Sequence, residues 1–257
     1  MKNKSKPLKE TFALAFQNYK NKDFKSSELL CKKILSIDSN HFDSIFLLAT
    51  LSAIQRNFNE AKKLLCKAIE IQPNNVSAHN NLGNVYKELG DINKAINCYQ
   101  KIIEIHPNHT NAHYNLGLVF YKLFSNRSPV SEPELKLEEL NKAKRYFQKT
   151  TEIQTNFAAA YFNLANVHVE LKEIPNAIKC YQKAIEIRPD YLWAHNNLGL
   201  VFRDTNDFEN AINCYQKAIE IKPEHAGAHH NLALAFKELG EFKKAIKSHQ
   251  AAIKHEP

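Results

Sequence analysis

Asparagine recurs at a regular spacing through most of this chain, and its primary amide is the first group that could do specific chemistry. The recurrent residues, at steps of 34, 48, 34 and 34 positions, are Asn81, Asn115, Asn163, Asn197 and Asn231. A primary amide both donates and accepts hydrogen bonds, so a row of amides can match the alternating N–H and C=O groups of an extended peptide. The row therefore predicts a site that binds a polypeptide main chain with little demand on its sequence.

Side chains close to this row could supply selectivity. Two more asparagines and three aromatic residues lie within four residues of a member of the row: Asn84, Asn166, Tyr114, Phe162 and Trp193. Aromatic side chains often anchor apolar groups of a binding partner, so we expect these residues to contact the same ligand. For Trp193, packing against a neighbouring part of the fold is an equal alternative. For the row itself, the alternative is that duplication copied a solvated residue.

Histidine repeats almost as regularly, which raises the question of a metal site. The recurrent histidines are His79, His113, His195 and His229. Packed helices lie about 8 to 10 Å apart, whereas the nitrogen ligands of zinc lie about 2 Å from the ion. Equivalent histidines in successive repeats are therefore too far apart to share one ion. We assign them a packing or half-exposed role and predict neither a metal nor a cofactor.

The sequence contains no motif typical of a catalytic site. HExxH, GxSxG and Cys–His pairs at zinc spacing are missing. The six glycines all occupy recurrent positions, so none is left to build a phosphate-binding loop. The five cysteines form no CxxC pair, which is typical of reduced, structural thiols. We therefore expect that this segment is not an enzyme.

The elements that carry these residues follow a period of 34. A short basic tail at residues 1–7 is followed by seven repeats across residues 8–257, which start at Leu8, Phe42, Val76, Thr110, Ala158, Leu192 and Ala226. In the third repeat, one helical stripe of apolar and small residues covers 82–86 and a second covers 95–103. Gly90 separates the two stripes and Pro107 ends the second. Each repeat is therefore predicted to hold two helices, A and B.

These positions resemble the tetratricopeptide repeat, whose signature is W-x2-L-G-x2-Y, then A-x3-F, then P within 34 residues. The third repeat carries the matching residues Leu82, Gly83, Tyr86, Ala95, Tyr99 and Pro107. The resemblance implies an all-α fold, a right-handed superhelical α-solenoid of about seven helix-turn-helix repeats with a concave groove. The first repeat departs most from the signature, and we expect it to be a degenerate cap.

Two branches of that family bear on the ligand. Stretches that read Asn-Leu-Gly or Asn-Leu-Ala, as at 81–83, resemble the repeat arm of O-linked N-acetylglucosamine transferases. That resemblance implies an asparagine-lined groove for substrate peptides, but it does not extend to a catalytic domain. Chaperone-binding members use a lysine at position 5 of the repeat in a carboxylate clamp. Here position 5 is Phe, Asn, Tyr or His, so capture of acidic C-terminal tails is not expected.

The fourth repeat contains an insertion within residues 125–138. Ser131 followed by Pro133 and Glu134 is typical of a capped helix start. We expect a loop near residues 125–130 and then a helix B that is longer by about two turns and protrudes at the turn between the helices. A harmless surface insertion and a docking element for a partner are alternatives.

Our main functional hypothesis is a non-catalytic scaffold whose concave groove binds a protein or peptide segment. The alternative is the N-terminal, substrate-recruiting arm of a larger transferase (glycosyl-, sulfo- or methyltransferase), because residue 257 falls at the end of a repeat with no polar capping helix after it. Without such a domain, we expect the last helix pair to cover itself by self-association.

Charge and hydropathy bear on the remaining partner classes. The formal charge of +8 permits RNA binding. However, basic residues alternate with acidic ones at 87–88, 203–204 and 237–238, which makes a poor track for phosphates, so nucleic acid is not the expected partner. No stretch approaches the roughly 18 apolar residues of a membrane span, and the start has no signal-peptide pattern. We therefore predict a cytoplasmic protein that does not associate with membranes.

Overall fold

The computed structural model describes residues 5–127 and 133–255 and is all-α over these ranges. Its helices are α1 (Ser5–Lys20), α2 (Phe24–Ile37), α3 (Phe42–Ile54), α4 (Phe58–Ile71), α5 (Val76–Glu88), α6 (Ile92–Ile105), α7 (Thr110–Asn126), α8 (Pro133–Ile153), α9 (Ala158–Glu170), α10 (Ile174–Ile187), α11 (Leu192–Asp204), α12 (Phe208–Ile221), α13 (Ala226–Glu238) and α14 (Phe242–His255). Odd-numbered helices are the A helices and even-numbered ones the B helices. Within the described ranges, no helix is both long enough and apolar enough to span a membrane.

The chain divides into two compact modules, an N-terminal module (Met1–Leu116) and a C-terminal module (Gly117–Pro257). In the first, consecutive helices from α1 through α6 pack against one another, and in the second, consecutive helices from α8 through α14 do so. Alternate A helices also touch, namely α1 with α3, α3 with α5 and α11 with α13. The predicted all-α solenoid of stacked helix pairs is confirmed in each module. We call the surface formed by the A helices of a module its A face.

Local sequence determines where the helices start and where the chain reverses. The side chain of Asn75 accepts a hydrogen bond from the backbone N–H of Ala78 and caps the start of α5. Between helices A and B, the residue at position 15 adopts left-handed backbone, with φ of 62° at Arg56, 60° at Lys172 and 81° at Gly90. This conformation suits glycine and reverses the chain in a short turn.

A small residue on helix A allows helix B to approach closely. A Cβ atom placed on Gly83 would lie 2.7 Å from Cε1 of Tyr99, and one on Gly199 would lie 2.6 Å from Cε1 of Tyr215. Both tyrosine rings are fully buried. The glycine therefore provides the space in which the ring of the partner helix packs, as the signature predicts.

The insertion lengthens both helices of the fourth repeat. Helix α8 has 21 residues where the other B helices have 14, so it is longer by about two turns, as predicted. The loop predicted from residue 125 begins later, because α7 continues through Asn126. Ser131, the predicted cap, lies outside the described residues. Nε of Arg127 contacts the buried carboxylate of Glu139 at 2.7 Å and ties the end of α7 to α8.

The two buried cysteine thiols, Cys31 and Cys98, have a packing role. All five cysteines are free. Burial raises the pKa of the Cys31 thiol to about 11 and that of Cys98 to about 12. These thiols therefore stay protonated at neutral pH, which makes them poor nucleophiles and poor metal ligands.

Candidate functional site

The asparagine row lies on the A helices, and each of its members is half-buried. Position 6 of the repeat lies about 200° around the helix from the buried position 8, so the sequence predicts that the row points away from the core. The structure instead turns several of its amides toward the neighbouring helix. Three side chains donate a hydrogen bond to an asparagine of the preceding A helix: Asn115 to Asn80 (3.3 Å), Asn197 to Asn166 (3.2 Å) and Asn231 to Asn196 (3.1 Å). The row is therefore partly an inter-helix ladder, which gives asparagine a structural reason to recur within helices.

The ladder uses amide nitrogens and leaves some amide oxygens available. Oδ1 of Asn115 and Oδ1 of Asn231 have no hydrogen-bond partner among the described residues. Nδ2 of Asn163 donates to the carbonyl oxygen of Ala159, one turn earlier in α9. Asn81 makes no side-chain hydrogen bond to another described residue. Because each amide nitrogen carries two hydrogens and the ladder uses one of them, a ligand would meet both acceptors and donors along the row.

Asn84 and Asn166, predicted as selectivity residues, hold helix pairs together. Oδ1 of Asn84 accepts a hydrogen bond from the hydroxyl of Tyr99 at 2.7 Å, and Oδ1 of Asn166 accepts one from Tyr181 at 2.5 Å. Both tyrosines are buried on B helices. These contacts give the two asparagines a structural role, and a role in peptide selection stays a prediction.

The predicted aromatic residues differ in how much surface they offer. Trp193 is 53% exposed, with its ring edge-on to that of His225 at 5.2 Å between centroids. Phe162 is half-buried, and its ring lies 5.0 Å from that of Tyr191 within a hydrophobic cluster of α9, α10 and α11. Tyr114 is also half-buried. Trp193 is therefore the aromatic residue of this set with the most surface for a ligand.

The recurrent histidines connect successive repeats. In each case Nε2 of the histidine donates to a proline carbonyl six residues earlier: His79 to Pro73 (2.8 Å), His113 to Pro107 (2.8 Å), His195 to Pro189 (2.9 Å) and His229 to Pro223 (2.8 Å). The donor must be Nε2–H because a carbonyl only accepts. These histidines thus take a packing role, and within residues 5–127 and 133–255 no three His, Cys, Asp or Glu residues are grouped to hold a metal.

A polar cleft opens on the A face of the C-terminal module. Its volume is about 280 Å³, and its polar lining comes from α7, α9, α10 and α11: Tyr121, Asn166, Glu170, Tyr181, Asn197 and Asp204. Burial raises the pKa of the Tyr121 hydroxyl, and the charge of Glu170 raises it further. Two members of the predicted site, Asn166 and Asn197, thus meet in one depression.

Sequence reasoning did not predict the remaining polar residues of this cleft, which are Tyr121, Glu170, Tyr181 and Asp204. A signal was available, because the last residue of most A helices after the second repeat is acidic, at Glu88, Glu170, Asp204 and Glu238. Positions 6 and 13 of a repeat differ by seven residues, about two helical turns, and therefore share one face of helix A. The acidic position lies in line with the asparagine row.

Family comparisons match most of the chain with one type of repeat. Models described as tetratricopeptide repeat or TPR repeat match residues 42–75, 67–97, 83–123, 156–224 and 214–247. A comparison with curated proteins found no match.

Several solved structures are similar. MamA is 27% identical with a TM-score of 0.60, and the match covers 68% of this chain and 94% of MamA. YrrB, described as a TPR protein with an unusual peptide-binding site, is 22% identical with a TM-score of 0.60, over 78% of this chain and 96% of YrrB. MamA from Desulfovibrio magneticus RS-1 is 20% identical with a TM-score of 0.59, over 69% and 93% of the two chains. The last two similarities support the fold alone.

Proposed function

This chain belongs to the tetratricopeptide repeat family, and on that premise we propose that it is a protein-interaction scaffold whose A face holds an extended segment of a partner protein. The observation that carries the proposal is the set of half-buried asparagines on successive A helices, some with amide oxygens left unpaired. YrrB, which shares the fold, is described as having a peptide-binding site.

The chemistry of the row supports main-chain recognition. Along an extended peptide, backbone N–H groups recur on the same side at every second residue. Oxygens such as Oδ1 of Asn115 and Oδ1 of Asn231 could accept from them in their own modules. Hydrogen bonds are stronger where protein partly excludes water, and these amides are half-buried. The exposed ring of Trp193 adds a place to anchor an apolar side chain.

Two alternatives from the sequence, a transferase arm and an RNA-binding protein, stay predictions. One contact disfavours RNA, because Nη2 of Arg203 lies 3.0 Å from Oδ1 of the adjacent Asp204 and is engaged there. Its charge is therefore partly neutralised before any phosphate arrives. Cytoplasmic localisation also stays a prediction.

The predicted self-association has a surface to support it. Three apolar side chains of α14 are largely exposed: Phe242 (63%), Ile246 (59%) and Ile253 (65%). Exposed apolar surface of this kind favours contact with another protein surface, and we propose a second copy of this chain. Sedimentation velocity over a range of concentrations tests this. A dimer that Ile246→Lys converts to a monomer supports it, and a monomer at every concentration contradicts it.

Peptide-array binding tests the scaffold function. The full chain is incubated with arrays of unrelated extended peptides, alongside a variant with Asn115 and Asn231 both changed to alanine, because these are the row members whose amide oxygens are free. A control variant changes two exposed asparagines away from the row, Asn93 and Asn176. Each acceptor lost should weaken binding about two- to tenfold, since each neutral hydrogen bond contributes about 0.5 to 1.5 kcal/mol. The control should bind like the wild type.

Circular dichroism and urea unfolding must accompany the array, because both changes also remove a ladder hydrogen bond. A folded row variant that binds as well as the control would refute the proposed site. If the wild-type chain captures no peptide at all, the scaffold function itself is wrong.

A further inference from the structure

The cleft on the A face of the C-terminal module differs in chemistry from the rest of the asparagine row. Its amide oxygens are already occupied. Oδ1 of Asn166 accepts from both Tyr181 and Asn197, and Oδ1 of Asn197 accepts from Nδ2 of Asn196 at 3.4 Å. The strongest acceptors left in the cleft are the carboxylate oxygens of Glu170 and Asp204.

These carboxylates carry negative charge that the protein does not fully neutralise. Glu170 is exposed and forms no ion pair with another described residue. Arg203 reaches Oδ1 of Asp204 and leaves Oδ2 available. An acid with no ion-pair partner, such as Glu170, is unexpected in a chain with a formal charge of +8. The cleft is thus a local acidic site within a basic protein.

Helix stability does not explain where these acids lie. Glu170 is the last residue of α9 and Asp204 is the last residue of α11. The C-terminus of a helix carries partial negative charge, so an acidic side chain there is unfavourable. Each side chain also lines the cleft rather than pointing away from it. Placement against the helix dipole and beside a depression favours a role in binding.

We propose that this cleft binds the guanidinium group of an arginine in the partner segment. The inference rests on the proposed scaffold function and specifies one side chain of the ligand. The planar guanidinium fork can donate two parallel hydrogen bonds to the carboxylate of Glu170 and a further one to Oδ2 of Asp204.

The other walls of the cleft suit the rest of an arginine side chain. The ring of Tyr121 provides an aromatic face, and guanidinium groups stack on aromatic rings more often than ammonium groups do. Val169, Leu200 and Val201 provide an apolar surface for the aliphatic stem. The raised pKa of the Tyr121 hydroxyl, caused by burial and by Glu170, is consistent with the phenol and the carboxylate lying close together.

Methyl NMR of the full chain tests this without a peptide. The methyl groups of Val169, Leu200 and Val201 report on the cleft. The probe is N-acetyl-arginine amide, and the control probe is N-acetyl-citrulline amide, which has nearly the same shape but no charge. We expect saturable shifts of these methyl signals with the arginine probe and binding at least about tenfold weaker with citrulline, since hydrogen bonds between charged groups are the stronger ones.

Glu170→Gln should weaken the arginine probe about tenfold and leave the methyl spectrum otherwise unchanged. The matched control is Glu209→Gln, an exposed acid on α12 that does not line the cleft, and it should bind like the wild type. Equal binding of the two probes, or no shift in either, would overturn the arginine site. If the array still captures peptides in that case, the scaffold function stands and only the arginine site is wrong.

Discussion

The hydroxyl of Tyr99 donates a hydrogen bond to Oδ1 of Asn84 across 2.7 Å and joins helix α6 to α5. The same pair recurs in the fifth repeat as Tyr181 and Asn166. Each tyrosine is almost fully buried, so its hydroxyl needs an acceptor inside the protein. The asparagine of helix A supplies that acceptor.

Other repeats vary the two members of this pair. In the fourth, Leu118 replaces the asparagine and Phe147 replaces the tyrosine, so no polar group is left unpaired at this place. In the sixth, Leu200 replaces the asparagine while the tyrosine, Tyr215, is kept. The hydroxyl of Tyr215 is buried and has no partner among the described residues. The sixth repeat is therefore a natural mismatch, because the donor hydroxyl is kept and the asparagine that would accept from it is lost.

Tyr99→Phe and Tyr215→Phe should consequently have different effects. Tyr99→Phe removes a hydrogen bond and leaves Oδ1 of Asn84 unpaired, so we expect a loss of about 1 kcal/mol in the free energy of unfolding. Tyr215→Phe removes an unpaired buried hydroxyl and should be neutral or stabilising by up to about 1 kcal/mol. Urea unfolding of the two variants measures the difference, and equal losses would contradict the mismatch.

Removing one of the recurrent histidines should weaken the junction between repeats. His195→Ala leaves the carbonyl of Pro189 without its donor and removes a buried ring. We expect a loss of about 1 to 3 kcal/mol, from the lost hydrogen bond together with the lost packing of the buried ring. The control is His106→Ala at an exposed site. A histidine variant as stable as the control in thermal and urea unfolding would show that the bond to proline contributes nothing.

At the left-handed turn position, introducing glycine should stabilise the fold and removing glycine should destabilise it. Arg56 adopts φ of 62° and Gly90 adopts φ of 81° at equivalent places. Arg56→Gly should raise the unfolding free energy by about 0.5 to 1 kcal/mol, and Gly90→Ala should lower it by about 1 kcal/mol. Nothing lies within 4 Å of a Cβ atom placed on Gly90, so a clash does not complicate the second variant. Changes of the same sign would rule out backbone strain as the cause.

Acid should destabilise the contact between α8 and the turn that follows α9. A hydrogen bond from Lys144 lowers the pKa of Glu173, burial partly opposes this, and His168 lowers it further. A carboxyl whose pKa is lower in the folded state stabilises the fold above its unfolded value, near 4.5, and loses this contribution as pH falls through the folded value. Glu173→Gln should therefore be destabilising at neutral pH and show a smaller further loss below about pH 4.5 than the wild type. Urea midpoints across this range measure both effects, and parallel pH curves would contradict the assignment.

The helices could be predicted from the sequence because the repeat is a local signal. Positions taken as starts, such as Phe42, Val76 and Leu192, are the first residues of A helices. The ladder could not be predicted in the same way, because each rung joins two amides 31 to 35 residues apart. The Asn-Asn pairs at 80–81 and 196–197 were a partial signal, since their first member is the acceptor for the next repeat.

The acidic cleft was harder to foresee. Tyr121, Glu170 and Asp204 come from three helices, and the insertion that interrupts the period separates Tyr121 from the other two. In the sequence, Asp204 is seen only as the neighbour of Arg203. Its proximity to Glu170 follows from stacking, which brings the ends of successive A helices together. Individual side chains in such a depression depend on tertiary packing rather than on local pattern.

The bond between histidine and proline also bears on how such repeats can be recombined. Proline and histidine belong to different repeats, and where Ser39 or Thr155 stands in place of the proline, the histidine position holds Ile45 or Tyr161. A chimera that places the fifth repeat after a proline-containing one would bring in Tyr161 without the imidazole that the proline carbonyl needs. A graft that transfers the end of one repeat together with the start of the next would keep the proline and the histidine together. The segment that can be exchanged between such proteins therefore spans the boundary between two repeats.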